Sequence, residues 1–260
     1  MEAICRNCDT AYVADYKFCP SCGQKANLHR LSLHEVFHEA IHYFTHADKG
    51  IFQLLRDLVT RSGFVAREYV DGKRKKYFPP LNFYLLVAAI HVFTATVFEK
   101  TTDHVGKTAG AAAGDVQALR MERLAQATHF LNHYGNFTAM IILPFTALVL
   151  YLFYRKARFN YTEHLVACMY MAGFCTLIYA IIILPAVSLF KIPGVYGAAA
   201  FFILQIVYFS SFYCRFLDKS TWKQQLKALI ASIFAVGWWF AFSFLMIVVY
   251  MSTGFWGILS

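Results

Sequence analysis

Five uncharged runs set the pattern of the chain: Pro80–Phe98, Asn136–Tyr154, Leu165–Phe190, Val195–Cys214 and Ala228–Met251. A helix on the surface of a soluble protein shows an apolar stripe, whereas these runs are apolar on every side. Each is long enough to cross the roughly 30 Å of hydrocarbon in a bilayer as a helix. In lipid a backbone must satisfy its own N–H and C=O groups, so the runs are predicted to be transmembrane helices. Pro144 and Pro185 fall inside the second and third runs and predict kinks. Pro193-Gly194 predicts a tight turn, making the third and fourth a helical hairpin.

The segment ahead of the first run has a different period. Ser32 and Glu35 have the spacing of a capping box, opening a helix expected to reach about Ala47 and to stop at Gly50. A second amphipathic helix is predicted over Ile51–Arg61, burying Ile51, Leu54, Leu55 and Leu58. A third short turn, Phe64–Asp71, stops at Gly72. Then come Lys73, Arg74, Lys75 and Lys76, four cations directly before the first span. Such a run suits anionic lipid headgroups, each cation contributing about 1 kcal/mol, and it also serves as a topology signal.

Composition strengthens the membrane reading. Of 260 residues 58% are hydrophobic and only 15% charged, against about a quarter charged in a soluble domain. Lysine and arginine are distributed asymmetrically. Residues 1–79 hold 12, the 155–164 turn holds 3 and the 215–227 turn holds 4, while the opposite side holds 5. By the positive-inside rule the N-terminus is cytosolic and, with five spans, the C-terminus is outside. The net charge of +9 follows from that asymmetry, and no nucleic-acid partner is expected.

Cys5, Cys8, Cys19 and Cys22 follow the spacing C-x2-C-x10-C-x2-C. Two such knuckles present four thiolates to one tetrahedral zinc, and the metal folds a segment too short to fold alone. Gly23 suits the turn that aims backbone amides at a thiolate. Four protein ligands leave no open coordination position, so the expected zinc is structural. A reducing cytosol keeps such thiolates available as ligands, in agreement with the lysine and arginine count. Cys168, Cys175 and Cys214 lie in apolar runs and read as small buried hydrophobes.

His34-Glu35-Val36-Phe37-His38 spells H-E-x-x-H, and a second copy begins at His38. On a helix this spacing supports a peptidase zinc with Glu35 as general base, and His42 extends the stripe as a possible third member of a second metal site. Against that reading, five of ten histidines fall between His29 and His46, Glu35 is already the capping acid, and Glu163 and His164 are the only further ligand candidates. The residues favour a non-enzymatic protein, with the metallopeptidase as the alternative. No Asp, Glu, Lys or Arg lies within the five spans and His91 is their only histidine. Ion-coupled transport and proton relays depend on such charges, leaving among transporters one for a neutral or lipid-like substrate. The loop 99–135 is expected on the exported side, where His129 and His133 are four residues apart.

The chain resembles a family of uncharacterised bacterial membrane proteins, a domain of unknown function. The resemblance is carried by the Cys-x-x-Cys-Gly-Gln ribbon, by Thr45-His46-Ala47-Asp48-Lys49-Gly50, and by Arg61, Gly63, Arg67, Tyr69, Gly72, Lys73 and Arg74 leading into Pro79. It implies a cytoplasmic-membrane location and architecture, and no chemistry. The expected fold is an all-α polytopic membrane protein of about five transmembrane helices with a small N-terminal zinc ribbon. Residues 1–27 form the ribbon, 28–79 a cytosolic platform of amphipathic helices, and 80–260 the membrane domain. The expected partners are membrane lipids and a protein at the cytosolic face.

Overall fold

The computed structural model describes residues 2–28, 30–37, 50–99, 135–218 and 221–253. The predicted exported helix with His129 and His133, the first platform helix beyond residue 37, and His38, His42 and His46 lie outside the described residues.

Strands β1 (Glu2–Ile4) and β2 (Ala11–Val13) pair antiparallel with Ala3 opposite Tyr12. Residues 33–37 are helical. Their start is the predicted capping box: Glu35 N donates to Ser32 Oγ and Ser32 N to Glu35 Oε2, both at 3.3 Å. Helix α1 (Gly50–Thr60) follows the predicted second helix closely. Gly50, expected as the stop of the first platform helix, is the first residue of α1. Residues 63–70 exceed the short turn expected of them and form helix α2 (Gly63–Val70).

The membrane domain contains α3 (Pro80–Glu99), α4 (Gly135–Phe153), α5 (Tyr161–Ile178), a π-helical segment (Tyr179–Ile183), α6 (Leu184–Leu189), α7 (Gly194–Phe216) and α8 (Trp222–Thr253). Among the described residues four stretches are long and apolar enough to cross a membrane: Pro80–Phe98, Tyr161–Leu189, Gly194–Phe216 and Trp222–Val249. Helix α4 adds the shorter apolar stretch Thr138–Phe153. Pro144 is accommodated inside α4. At Pro185, which has no N–H to give, the helix has already widened, and Leu184 N bonds the Tyr179 carbonyl five residues back. A π turn is one way a helix absorbs a break in its i→i+4 ladder. The π segment also places Tyr179 edge-on to His91, ring centres 5.5 Å apart, giving that intramembrane histidine an aromatic neighbour on another helix.

Helix α5 is the centre of the bundle. It begins at Tyr161, four residues before the predicted span, because Asn160 and Glu163 form a second capping box: Glu163 N to Asn160 Oδ1 at 2.8 Å and Asn160 N to Glu163 Oε2 at 2.7 Å. Every residue from Thr162 to Met171 is buried, with α3, α4 and α7 packed around it and α8 lying against α4 and α7. Bundles in lipid hold together by close packing more than by expelling water. Gly173 shows how close: a Cβ there would sit 2.8 Å from Cε1 of Phe83.

Helices α1 and α2 cap one end of this bundle, packing on α5 and α7. Tyr208 OH donates to the Leu58 carbonyl at 2.9 Å and Tyr170 OH to the Phe78 carbonyl at 2.7 Å. Arg67 pairs with Asp218 at 2.9 Å and Arg158 with Asp71 at 2.8 Å. The 154–160 turn and Asp218, just beyond α7, therefore meet the platform at the same end.

Candidate functional site

The two cysteine knuckles are built by short backbone bonds. Cys5 N donates to Thr10 O at 3.0 Å, closing the first turn; Cys19 N donates to Gln24 O at 2.8 Å, closing the second, where Gly23 takes a φ of 70°. Asn7 N points at Cys5 Sγ, 3.4 Å away. All four sulfurs fall within 4.8 Å of one another, with Cys5 Sγ to Cys22 Sγ at 3.6 Å and Cys8 Sγ to Cys19 Sγ at 3.7 Å. A disulfide would hold a pair near 2.05 Å. A tetrahedral ion with metal–sulfur bonds of about 2.3 Å separates its ligands by about 3.8 Å, so the residues fit a four-thiolate metal site. Thr10, by its hydroxyl and its amide, draws the Cys8 thiol down to about 6, while burial pushes Cys22 up to about 12. A divalent ion at the centre reverses the second effect, since coordination deprotonates a thiol outright. Among the described residues this is the one group of three or more metal-ligating side chains within reach of a common ion.

The ribbon is docked on the platform. Lys75 N donates to Gln24 Oε1 at 3.1 Å, and at Gly72 (φ 115°) a Cβ would meet Leu28 Cδ1 at 3.1 Å and Arg6 Cδ at 3.3 Å. Arg30 forks onto Glu163, with Nε to Oε1 at 2.9 Å and Nη2 to Oε2 at 3.0 Å, and also reaches the Arg158 carbonyl. Asn160 Nδ2 donates to the Leu31 carbonyl at 3.2 Å. One capping box thus starts the central helix and holds Arg30 and Leu31, beyond the ribbon.

Beneath the ribbon lies a polar cluster that hydrophobic periodicity did not reveal. Asp57 is 1% exposed on the same face of α1 as Leu54 and Leu58. The Tyr77 hydroxyl sits between the carboxylates of Glu68, at 2.7 Å, and Asp57, at 3.1 Å. Glu68 also accepts from Lys76 Nζ at 2.7 Å and Arg61 Nη2 at 2.8 Å, with Lys73 Nζ at 3.8 Å. Burial opposes ionisation of Glu68, but the bonds from Lys76, Tyr77 and Arg61 outweigh it and lower its carboxyl from 4.5 to about 2. Burial first, and the two carboxylates next, push the Tyr77 phenol up, so it remains a donor. An acid at i+3 from Leu54 was the available signal for Asp57; Glu68 was hidden because its helix was read as a turn.

A group whose folded-state value is depressed stabilises the fold above its unfolded value and loses that contribution as pH falls toward the folded one. Glu68→Gln is therefore expected to lower stability by about 2 kcal/mol at neutral pH, the scale of charge-assisted bonds. The gap from wild type should shrink between pH 4.5 and about 2. Melting curves of both proteins in detergent across that range measure it, and a gap independent of pH would contradict the assignment.

The four cations of the sequence do not form one exposed patch. Lys73 and Lys76 face Glu68, and Arg74 is buried 4.0 Å from Glu35 Oε2. Lys75 alone is exposed. His34 is exposed, while His38 and His42 lie outside the described residues. Glu35 is engaged in its capping box, Glu163 in its fork with Arg30, and His164 is buried with Nδ1 3.2 Å from Tyr213 OH.

Residues 48–92 match a family described as a protein of unknown function, DUF3667. The matched stretch contains α1, α2, the Asp57–Tyr77–Glu68 cluster and most of α3. No curated protein and no solved structure matches the chain.

Proposed function

We propose that the protein is a non-enzymatic integral membrane protein of the bacterial cytoplasmic membrane whose platform end faces the cytosol and docks a protein partner. One observation carries this reading: the three segments rich in Lys and Arg, residues 1–79, 155–164 and 215–227, meet at one end of the bundle through Arg158–Asp71, Arg67–Asp218 and Arg30–Glu163. A positive excess gathered at one end is what cytosolic orientation requires. The ribbon holds a structural zinc and rests on that end, with Ile4, Val13, Tyr16 and Phe18 each at least half exposed, an apolar surface available to a partner.

The experiment is crosslinking and capture from intact membranes with wild type and with Cys19→Ser/Cys22→Ser. Wild type is expected to retain a defined partner that the double variant loses while inserting normally. Unchanged capture would end the role of the ribbon in docking. Labelling of an added N-terminal tag from outside spheroplasts would overturn the orientation.

A further inference from the structure

Helices α7 and α8 pack against each other, and near their platform end they line a cleft together with Phe64 of α2. The cleft there has a volume of about 580 Å³. Val207, Ser211 and Arg215 line it at four-residue spacing along one face of α7, and Gln225 and Leu229 line it from α8. At 1.5 Å per residue, Val207 lies about 12 Å from Arg215 along the helix. The two chains run in opposite directions, so Gln225 belongs to the mouth with Arg215 and Leu229 to the deeper part with Val207. Polarity across the cleft therefore runs from a guanidinium and an amide, through a hydroxyl, to aliphatic side chains. A glycerophospholipid has the same order: phosphate, glycerol ester, acyl chain.

Two further observations point to a ligand. Asp218, the acid on the wall, is paired with Arg67 at 2.9 Å, which leaves the charge of Arg215 to set the sign of the cleft. Arg215 Nη1 donates to Thr60 O at 3.3 Å and Ser62 Oγ at 3.2 Å; a guanidinium has five N–H donors, and this anchoring fixes the plane of the rest. The serines add an unused donor. Thr96, Thr146 and Ser232 each donate to a carbonyl four residues back in their own helix, the usual arrangement in an apolar helix. Ser210 and Ser211, both on the cleft wall, make no such bond among the described residues.

We propose that this cleft binds the phosphate-bearing headgroup of a membrane glycerophospholipid. Arg215 and Ser211 take the phosphate and ester oxygens, Gln225 borders the headgroup, and an acyl chain lies along Val207 and Leu229. The site is separate from the ribbon and goes beyond the docking of a protein partner.

The test uses the full-length protein stripped of lipid in detergent and titrated with phosphatidylglycerol, with bound lipid counted by native mass spectrometry. Glycerol 1-phosphate and inorganic phosphate are run as soluble alternatives. Wild type is expected to bind one lipid saturably. Arg215→Gln, which removes the charge, and Ser211→Trp, which fills the cleft, should each bind about tenfold more weakly or worse. Because Arg215 also anchors α2, Ser211→Trp with an unchanged melting temperature is the decisive variant. Wild-type lipid binding in that variant overturns the site. Equal binding of glycerol 1-phosphate and lipid overturns the lipid assignment in favour of a free phosphate ester. The cysteines are untouched, so this outcome is independent of partner capture by the ribbon.

Discussion

Gly63→Ala is expected to separate α2 from α7. A Cβ at this position would lie 2.0 Å from the Phe212 carbonyl oxygen and 2.6 Å from the Phe216 nitrogen. Both are backbone atoms of a packed helix, so no side-chain rotation relieves the overlap and one helix must move. Overpacking a core costs about 1–3 kcal/mol when side chains can shift, occasionally more; a backbone-to-backbone clash belongs at or above the top of that range. The movement would also break the Arg215 bonds to Thr60 and Ser62, the Tyr208 bond to Leu58 and the Arg67–Asp218 pair. Thermal unfolding in detergent should show a loss of at least about 3 kcal/mol. Gly194→Ala is the control. Its Cβ meets nothing within 4 Å, and its effect should stay within about 0.5 kcal/mol. If the two variants melt alike, the close approach of α2 to α7 is wrong.

Removing the zinc proposed for the four cysteines should have the largest local effect. Apparent binding energies for structural four-ligand zinc sites are on the order of 10 kcal/mol, far beyond what two three-residue strands and one bridge between Phe18 and Lys25 can replace. Elemental analysis of purified protein should give one metal per chain, lost on chelation and in Cys5→Ser. Trypsin should then cut at Arg6, Lys17 and Lys25 within minutes, while the helices from Gly50 onward keep their protection. Arg30 serves as an internal gauge of how far unfolding travels, because its fork onto Glu163 belongs to the start of α5 and not to the ribbon turns. Tryptic resistance of the chelated protein would show that packing, not metal, holds the knuckles.

What the sequence showed clearly was whatever a single residue type or period controls. Uncharged runs located the spans, since lipid penalises every exception. Cysteine spacing located the cluster, since tetrahedral ligation fixes it. The Ser32–Glu35 capping box was legible because it is a local bond. The start of α5 was not, although Asn160 and Glu163 have the same spacing. The string Asn160-Tyr161-Thr162-Glu163-His164 looks like a polar turn until Arg30, 133 residues away from Glu163, supplies the compensating charge. The run Lys73 to Lys76 has surroundings that a linear reading does not show. Read linearly it is a cationic patch; in three dimensions Glu68 takes two of its members and burial takes a third. Pairing of charges between elements is invisible to hydropathy, and the polar cluster of the platform depends on it.

The π-helical segment at Tyr179–Ile183 divides its span in two. A residue added to an α-helix turns everything beyond it by about 100°, so the two halves do not share one buried stripe. The near half, Thr162 to Cys175, is enclosed on almost every side; the far half shows Ile181, Ile182, Leu189 and Phe190 at its surface. A helix phased in this way works as a shaft with a flange: its inner length is gripped by three neighbours, and its outer length, held by α3 and α7, turns those four side chains outward.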